Sequence, residues 1–282
     1  MSVITFVNNI EKRTGKTLSA VAIATNMAIS NNNRILLIST TNGYDKVESC
    51  YFEKTENKKS RLGIFGINQN AYEQNGLEGL LRIARSGKLT PELITNYTKV
   101  VFKGRLEVLS GKREKNENGE IEKLGKEYID IINAANNYYD KVFIDLDSDI
   151  DKELKERIID LSDLVIVNIS QNFGSIERLG EAKKTDPLLQ SPKTLILIDR
   201  YDKYSKYNIK NISRYLGEKN NVLTIPYNTL FFEASNEASV PDLFIKLRKL
   251  NDTEDRNAIF IEEVKRATEN ILYRLQELQA RM

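Results

Sequence analysis

The sequence predicts an α/β protein: a doubly wound, mainly parallel β-sheet flanked by helices and followed by a C-terminal amphipathic helix. Three observations carry this. Apolar, β-branched runs of strand length recur along the chain, and helical patterns separate them. The first run, at the N-terminus, passes through a short loop into Gly15-Lys16-Thr17 and an apolar helix. Continuous apolar strands alternating with helices belong to sheets covered on both faces.

Each element follows in order. The strand "VITFVN" (3–8) leads to a helix over 16–30, and "RILLIS" (34–39) is the second strand. The polar stretch "EKTENKKSRLGIFGINQN" (53–70) reads as a surface loop before a helix over 77–86. The strand "RLEVLS" (105–110) precedes a second polar loop, "GKREKNENGEIEK" (111–123), and a helix over 121–136. "KVFIDL" (141–146) is followed by Asp147, Ser148 and Asp149, acids expected to cap a helix over 151–161. "DLVIVNI" (163–169), "KTLILID" (193–199) and "NVLTIP" (221–226) are strands, with helices over 174–184, 208–217 and 229–249. From about 256 to 281, Ile261, Val264, Thr268, Ile271, Leu275, Leu278 and Met282 keep 3–4 spacing, the stripe of an amphipathic helix. No internal repeat or linker is evident, so residues 1–282 read as a single domain.

Composition narrows the chemistry. Lys plus Arg is 42 against 40 Asp plus Glu, and the net charge of +2 supplies no attraction for nucleic acid or an acidic membrane. One cysteine, Cys50, rules out an internal disulfide framework and fits a reducing cytoplasm. The first strand starts without a secretory signal pattern, and no run has the length of a membrane span, so no integral membrane segment is expected. Histidine is absent, which removes His general bases, Ser-His-Asp and Cys-His catalysis, and histidine metal sites.

The first loop is the candidate site. In parallel sheets ligands bind beyond the strand C-terminal ends, where this loop lies. A phosphate cradle needs inward backbone N–H groups, a helix N-terminus, a lysine and a hydroxyl for Mg²⁺. Gly15, Lys16 and Thr17 are placed to supply the last three of these at a strand-to-helix junction. Most glycines of such a loop are missing, however: Ile10 takes the first glycine position of G-x-x-x-x-G-K-[ST], with Glu11, Lys12 and Arg13 behind it.

Taken together, these segments resemble the ParA/MinD group of deviant Walker ATPases over almost the whole chain. Lys16 and Thr17 match that family's phosphate lysine and magnesium hydroxyl. "YYDKVFIDLDSD" (138–149) resembles its Walker B strand, with Asp145 in the acidic position. "LSDLVIVNISQNFGSIERL" (161–179) resembles the next strand and helix. "LILIDRYDK" (195–203) resembles the strand leading to the base pocket, and "TIPYNTLFFEASNEASVPDLF" (224–244) the segment that wraps adenine.

The resemblance implies ATP and Mg²⁺ as cofactors and a homodimer. It implies nucleotide contacts from Lys12, Arg13, Thr14, Gly15, Lys16, Thr17, Leu18, Asp199, Arg200, Pro226, Tyr227 and Asn228, with Thr17 and Asp145 at the metal. The departures bear on catalysis. Glu11 occupies the place of the family's signature lysine, with Lys12 and Arg13 next to it. Thr41, in "ISTTNG", stands where the family has a second-strand Asp that helps place water and magnesium. Lys12, Thr41 and Asp147 are therefore the candidate catalytic residues, and hydrolysis is expected to be weak or absent. Asp199 replaces the family's base-binding Asn; an ionised carboxylate only accepts hydrogen bonds, which keeps GTP open beside ATP.

The degenerate loop and the "IPYNTLFFEAS" segment are most similar to the TadZ/CpaE-like branch, which implies a spatial organiser in tight-adherence (Flp type IV) pilus assembly or its localisation. That reading expects pilus-assembly or polar-localisation partners and a cytoplasmic protein recruited by them to the inner face of the membrane. A DNA or plasmid partition ATPase and a pseudo-ATPase scaffold stay open. DNA is not favoured, because Lys58, Lys59, Arg61, Lys112, Arg113 and Lys115 are interleaved with acids in the polar loops. The last helix balances Glu262, Glu263, Glu269 and Glu277 against Lys265, Arg266, Arg274 and Arg281, so packing or pairing is expected of it rather than membrane insertion.

Overall fold

In the computed structural model, the structure describes residues 1–8, 11–41, 46–53, 76–111, 125–218, 221–250, 252 and 254–281. Eight strands form one sheet in the order β3-β4-β2-β5-β1-β6-β7-β8. They are β1 (Ser2–Val7), β2 (Ile35–Ser39), β3 (Lys99–Phe102), β4 (Leu106–Leu109), β5 (Lys141–Asp145), β6 (Leu164–Ser170), β7 (Thr194–Tyr201) and β8 (Val222–Pro226). Every neighbouring pair is parallel except β3 with β4.

The helices are α1 (Lys16–Ser30), α2 (Lys46–Tyr51), α3 (Leu77–Arg85), α4 (Lys126–Asn136), α5 (Lys152–Leu161), α6 (Phe173–Ala182), α7 (Pro187–Gln190), α8 (Ile209–Leu216), α9 (Thr229–Ala234), α10 (Val240–Leu247) and α11 (Arg256–Gln279). The strands' continuous apolar character follows from burial on both faces. Ile4 and Phe6 of β1 join a core built with α1, α2, α9, α10 and α11, whereas Val3 and Val7 join the opposite core with α3 to α8. This is the predicted doubly wound α/β architecture with its C-terminal helix.

Several boundaries differ from expectation, each for a local reason. The helix expected over 229–249 is two helices, because Ala238 turns at φ 56° and Pro241 at the start of α10 has no N–H to continue a ladder. Four residues, Lys99–Phe102, form an antiparallel edge strand hairpinned to β4 through Gly104, whose φ is 70°. The cap of α5 is Asp151 itself, whose carboxylate accepts from the N–H groups of Glu153 and Leu154; Asp147 and Asp149 do not take that role. Most of both polar loops, 54–70 and 112–123, lies outside the described residues, as do Ile10, Asn42 and Met282 and the basic residues Lys58, Lys59, Arg61, Lys112, Arg113 and Lys115.

Helix α11 buries its stripe on its own sheet and on α1: Phe260, Ile261, Val264, Ala267, Thr268, Ile271 and Leu275 are all buried. Arg274 donates to the Pro192 carbonyl and pairs with Glu277, which pins the outer turns. Among the described residues no helix is long and apolar enough to cross a membrane.

Candidate functional site

Because its strands run parallel, the sheet brings the ends of β1, β2, β5, β6 and β7 to one edge, and the loop 11–15 crosses it into α1. Gly15 is the N-cap of α1 at φ 116° and offers no capping side chain of its own; the Lys16 N–H donates to the Thr14 hydroxyl at 3.3 Å. Glycine is required there twice over. The φ is left-handed, and a Cβ would sit 3.1 Å from the Asp199 Cβ.

Lys16 and Asp145 meet at the centre. β1 and β5 are neighbours in register Phe6↔Asp145, so the last residue of β5 lies beside the start of α1. The Lys16 ammonium pairs with one Asp145 carboxylate oxygen, and the Thr17 hydroxyl donates to the other at 2.8 Å. Both charged side chains are nearly sealed from solvent, 7% and 0% exposed. Burying two charges in this way is tolerated because each is paired and the carboxylate takes a further hydrogen bond.

Asp199 lies behind the loop. The Ser19 hydroxyl donates to one oxygen and the Asn168 amide to the other at 2.8 Å. Burial pushes its carboxyl up to about 7, against the lowering pull of Ser19, Asn168, Thr14 and the Arg200 charge. The Asn168 side-chain oxygen is itself buried without a hydrogen-bond partner among the described residues. Thr14, fully buried, donates to Asn8 at 2.8 Å.

The remaining candidates divide into groups. Arg13 and Arg200 are joined, the Arg200 guanidinium donating to the Arg13 carbonyl at 2.6 Å. Lys12 is exposed and pairs with Asp149 of its own chain. Thr41 and Asp147 sit at the β2 and β5 ends, linked through Thr40, whose hydroxyl accepts from the Asp147 N–H at 2.6 Å. The Leu18 side chain packs against the core.

Pro226 ends β8, opposite Tyr201 of β7, and Tyr227 and Asn228 follow it. Asn228 caps α9 through Phe231 N–H and also donates to Asn257, while Tyr227 is exposed beside Phe232. The structure thus gathers Arg13 to Thr17 with Asp145, Asp199 and Arg200, and leaves Lys12, Leu18 and the 226–228 segment at its margin.

Sequence reasoning missed Ser19, Asn168 and Thr40, and the partners of Glu11. A polar Asn inside the apolar run of β6 was the one readable signal. Glu11 reaches the end of β6 and the helix α6 of its own chain: its carboxylate accepts from the Ser170 N–H (2.8 Å) and the Ser175 hydroxyl (2.6 Å), and pairs with Arg178 (3.1 Å). Burial alone would raise the Glu11 carboxyl, but the donors from Ser175 and Ser170 and the Arg178 charge outweigh it and hold the group below the ordinary Glu value.

No protein-family model and no curated relative matches the chain. Solved structures do. A ParA family ATPase from Chlorobium tepidum TLS superposes with a TM-score of 0.66 at 15% identity, over 92% of this chain and 95% of that one. A plasmid partition protein from Borrelia burgdorferi B31 bound to AMPPNP gives 0.60 at 20% identity, over 98% of each chain. A septum site-determining MinD complexed with Mg-ADP from Pyrococcus horikoshii OT3 gives 0.58 at 13% identity, over 93% of each. At these identities the likeness concerns the fold: the chain has the P-loop fold of the ParA/MinD ATPases.

Proposed function

We propose that the chain is a nucleotide-binding, dimerising organiser of the ParA/MinD type that turns over nucleotide slowly or not at all. One observation carries it: a lysine, a hydroxyl and a carboxylate (Lys16, Thr17 and Asp145) converge at the glycine-started N-terminus of α1 on the strand edge. These residues fit Mg²⁺-ATP. Lys16 would hold phosphate oxygens, and Thr17 and Asp145 the metal side; the bound metal would supply charge neutralisation of the phosphates. The AMPPNP and Mg-ADP held by two structural neighbours agree with that choice. Asp199 accepts from Ser19 and Asn168 rather than standing open to a base, so it does not discriminate ATP from GTP; the likeness of Pro226-Tyr227-Asn228 to the adenine-wrapping pattern favours ATP.

Slow hydrolysis is supported by two placements. Thr41 brings a hydroxyl where a water-placing acid would help, and Glu11 is tied to its own α6, so position 11 offers no cation to a second subunit. The tight-adherence pilus role, partners from pilus assembly or polar localisation, and cytoplasmic residence with recruitment to the membrane face rest on the sequence resemblance. A plasmid-partition reading has support from the partition protein among the structural neighbours.

Calorimetry with ATP, ADP and GTP, with and without Mg²⁺, tests the proposal, followed by a hydrolysis assay on the same sample with and without DNA. Saturable Mg²⁺-dependent binding and slow, DNA-insensitive turnover is the expected result. DNA-stimulated turnover selects the partition reading, and no binding with dimers intact selects a pseudo-ATPase scaffold.

A further inference from the structure

The loop before Lys16 holds its shape with few of the glycines that such a turn uses. Arg13 lies at φ 62°, a left-handed conformation that a side chain disfavours and glycine tolerates. Non-glycine residues are kept in such conformations only where their surroundings enforce them. The surroundings here are specific. On one flank the Glu11 carboxylate is fixed by three donors from Ser170, Ser175 and Arg178. On the other, Arg200 reaches from the end of β7 and donates to the carbonyl of Arg13 itself. Arg200 also has a positive φ, 52°; of the three non-glycine residues with positive φ among the described residues, two are joined by this one bond.

We propose that Glu11 and Arg200 are positioning residues that replace the absent glycines: they clamp the loop from both sides and hold Arg13 left-handed, so that the backbone cradle in front of Lys16 is formed before nucleotide arrives. Each acts through the loop backbone. The Arg200 guanidinium is committed to the Arg13 carbonyl, and Glu11 to α6, so the clamp is made within one chain. The inference rests on nucleotide binding at Lys16 for its affinity readout, but the clamp itself is a property of the nucleotide-free protein.

The test uses Glu11→Ala and Arg200→Ala, each alone and combined with Arg13→Gly. Two quantities are read: affinity for Mg²⁺-ATP by calorimetry, and amide hydrogen exchange of residues 11–17 without nucleotide. Each single variant should accelerate exchange across 11–17 and weaken Mg²⁺-ATP about tenfold, as loss of a pre-formed site does. Arg13→Gly, which makes the left-handed conformation free of side-chain strain, should return the affinity of either variant to within about threefold of wild type. A side chain that matters through general stability would show no such rescue. Unchanged exchange in the single variants overturns the clamp, and so does an Arg200→Ala defect that Arg13→Gly leaves untouched, since that marks a direct contact to nucleotide. Should the wild type bind no nucleotide, the functional proposal falls, and the exchange data alone decide the clamp.

Discussion

Replacing Lys16 by Ala separates two jobs that one ammonium performs. In the nucleotide-free protein it neutralises Asp145, which is 0% exposed. Its removal leaves the Thr17 hydroxyl at 2.8 Å as the remaining side-chain donor to that carboxylate among the described residues. Stranding one member of a buried pair costs about 3–5 kcal/mol, a large share of the roughly 5–15 kcal/mol that holds a protein folded. Adding Asp145→Asn removes the stranded charge and should recover most of that loss.

Nucleotide affinity should behave differently. A charge-assisted contact of about 1.5–3 kcal/mol sets a loss of about tenfold or more. The double variant should not regain it, because the phosphate-facing cation is still missing. Urea midpoints report the first effect, and calorimetry with Mg²⁺-ATP, at a temperature where circular dichroism shows each variant folded, reports the second. A Lys16→Ala protein that matches wild type in both measurements would refute the assignment of Lys16 to the pair and to the phosphate.

Three further outcomes are expected. Asp199, with its carboxyl raised from 3.8 to about 7, binds its proton more tightly folded than unfolded, so its contribution to stability is present at acid pH and is lost as pH rises from about 4 to 7; Asp199→Asn should flatten that slope and raise the urea midpoint more at pH 8 than at pH 4, and an identical profile would contradict it. Ile271, fully buried on α11, should cost about 2–5 kcal/mol when cut to Ala while partitioning onto anionic liposomes stays the same; weaker liposome binding in a stable variant would make the helix a membrane anchor. Wild-type hydrolysis should run below about one turnover per second in a phosphate-release assay with or without DNA, and a faster rate would show that Thr41 and the intrachain tie of Glu11 do not limit catalysis.

The sheet was readable because its strands are buried on both faces, which leaves continuous apolar runs such as "KVFIDL" and "DLVIVNI". Lys16, Thr17 and Asp145 could each be singled out, since a strand-loop-helix motif and an acid-ended strand carry local patterns, but their pairing with one another is a finding of the structure. Short elements were hidden. β3 has four residues and only part-buried faces, so it lacks the apolar run that marks the inner strands. The break between α9 and α10 depends on Ala238 adopting a left-handed turn that its residue type does not signal. The Glu11 anchor could not be read at all, because its partners begin 159 residues later in the chain and are brought beside it by the β1–β6 pairing. For the same reason Asp199, chosen as a base contact, could not be anticipated as a buried acceptor for Ser19 and Asn168.

Nucleotide binding at Lys16 is decided by a crystal structure with Mg²⁺ and a non-hydrolysable ATP analogue. The triphosphate should lie against the backbone of residues 13–17, with the Lys16 ammonium moved from Asp145 onto phosphate oxygens and Mg²⁺ held on the side of Thr17 and Asp145. An analogue bound elsewhere, or a Lys16 still paired with Asp145 in a crystal soaked to saturation, would contradict it.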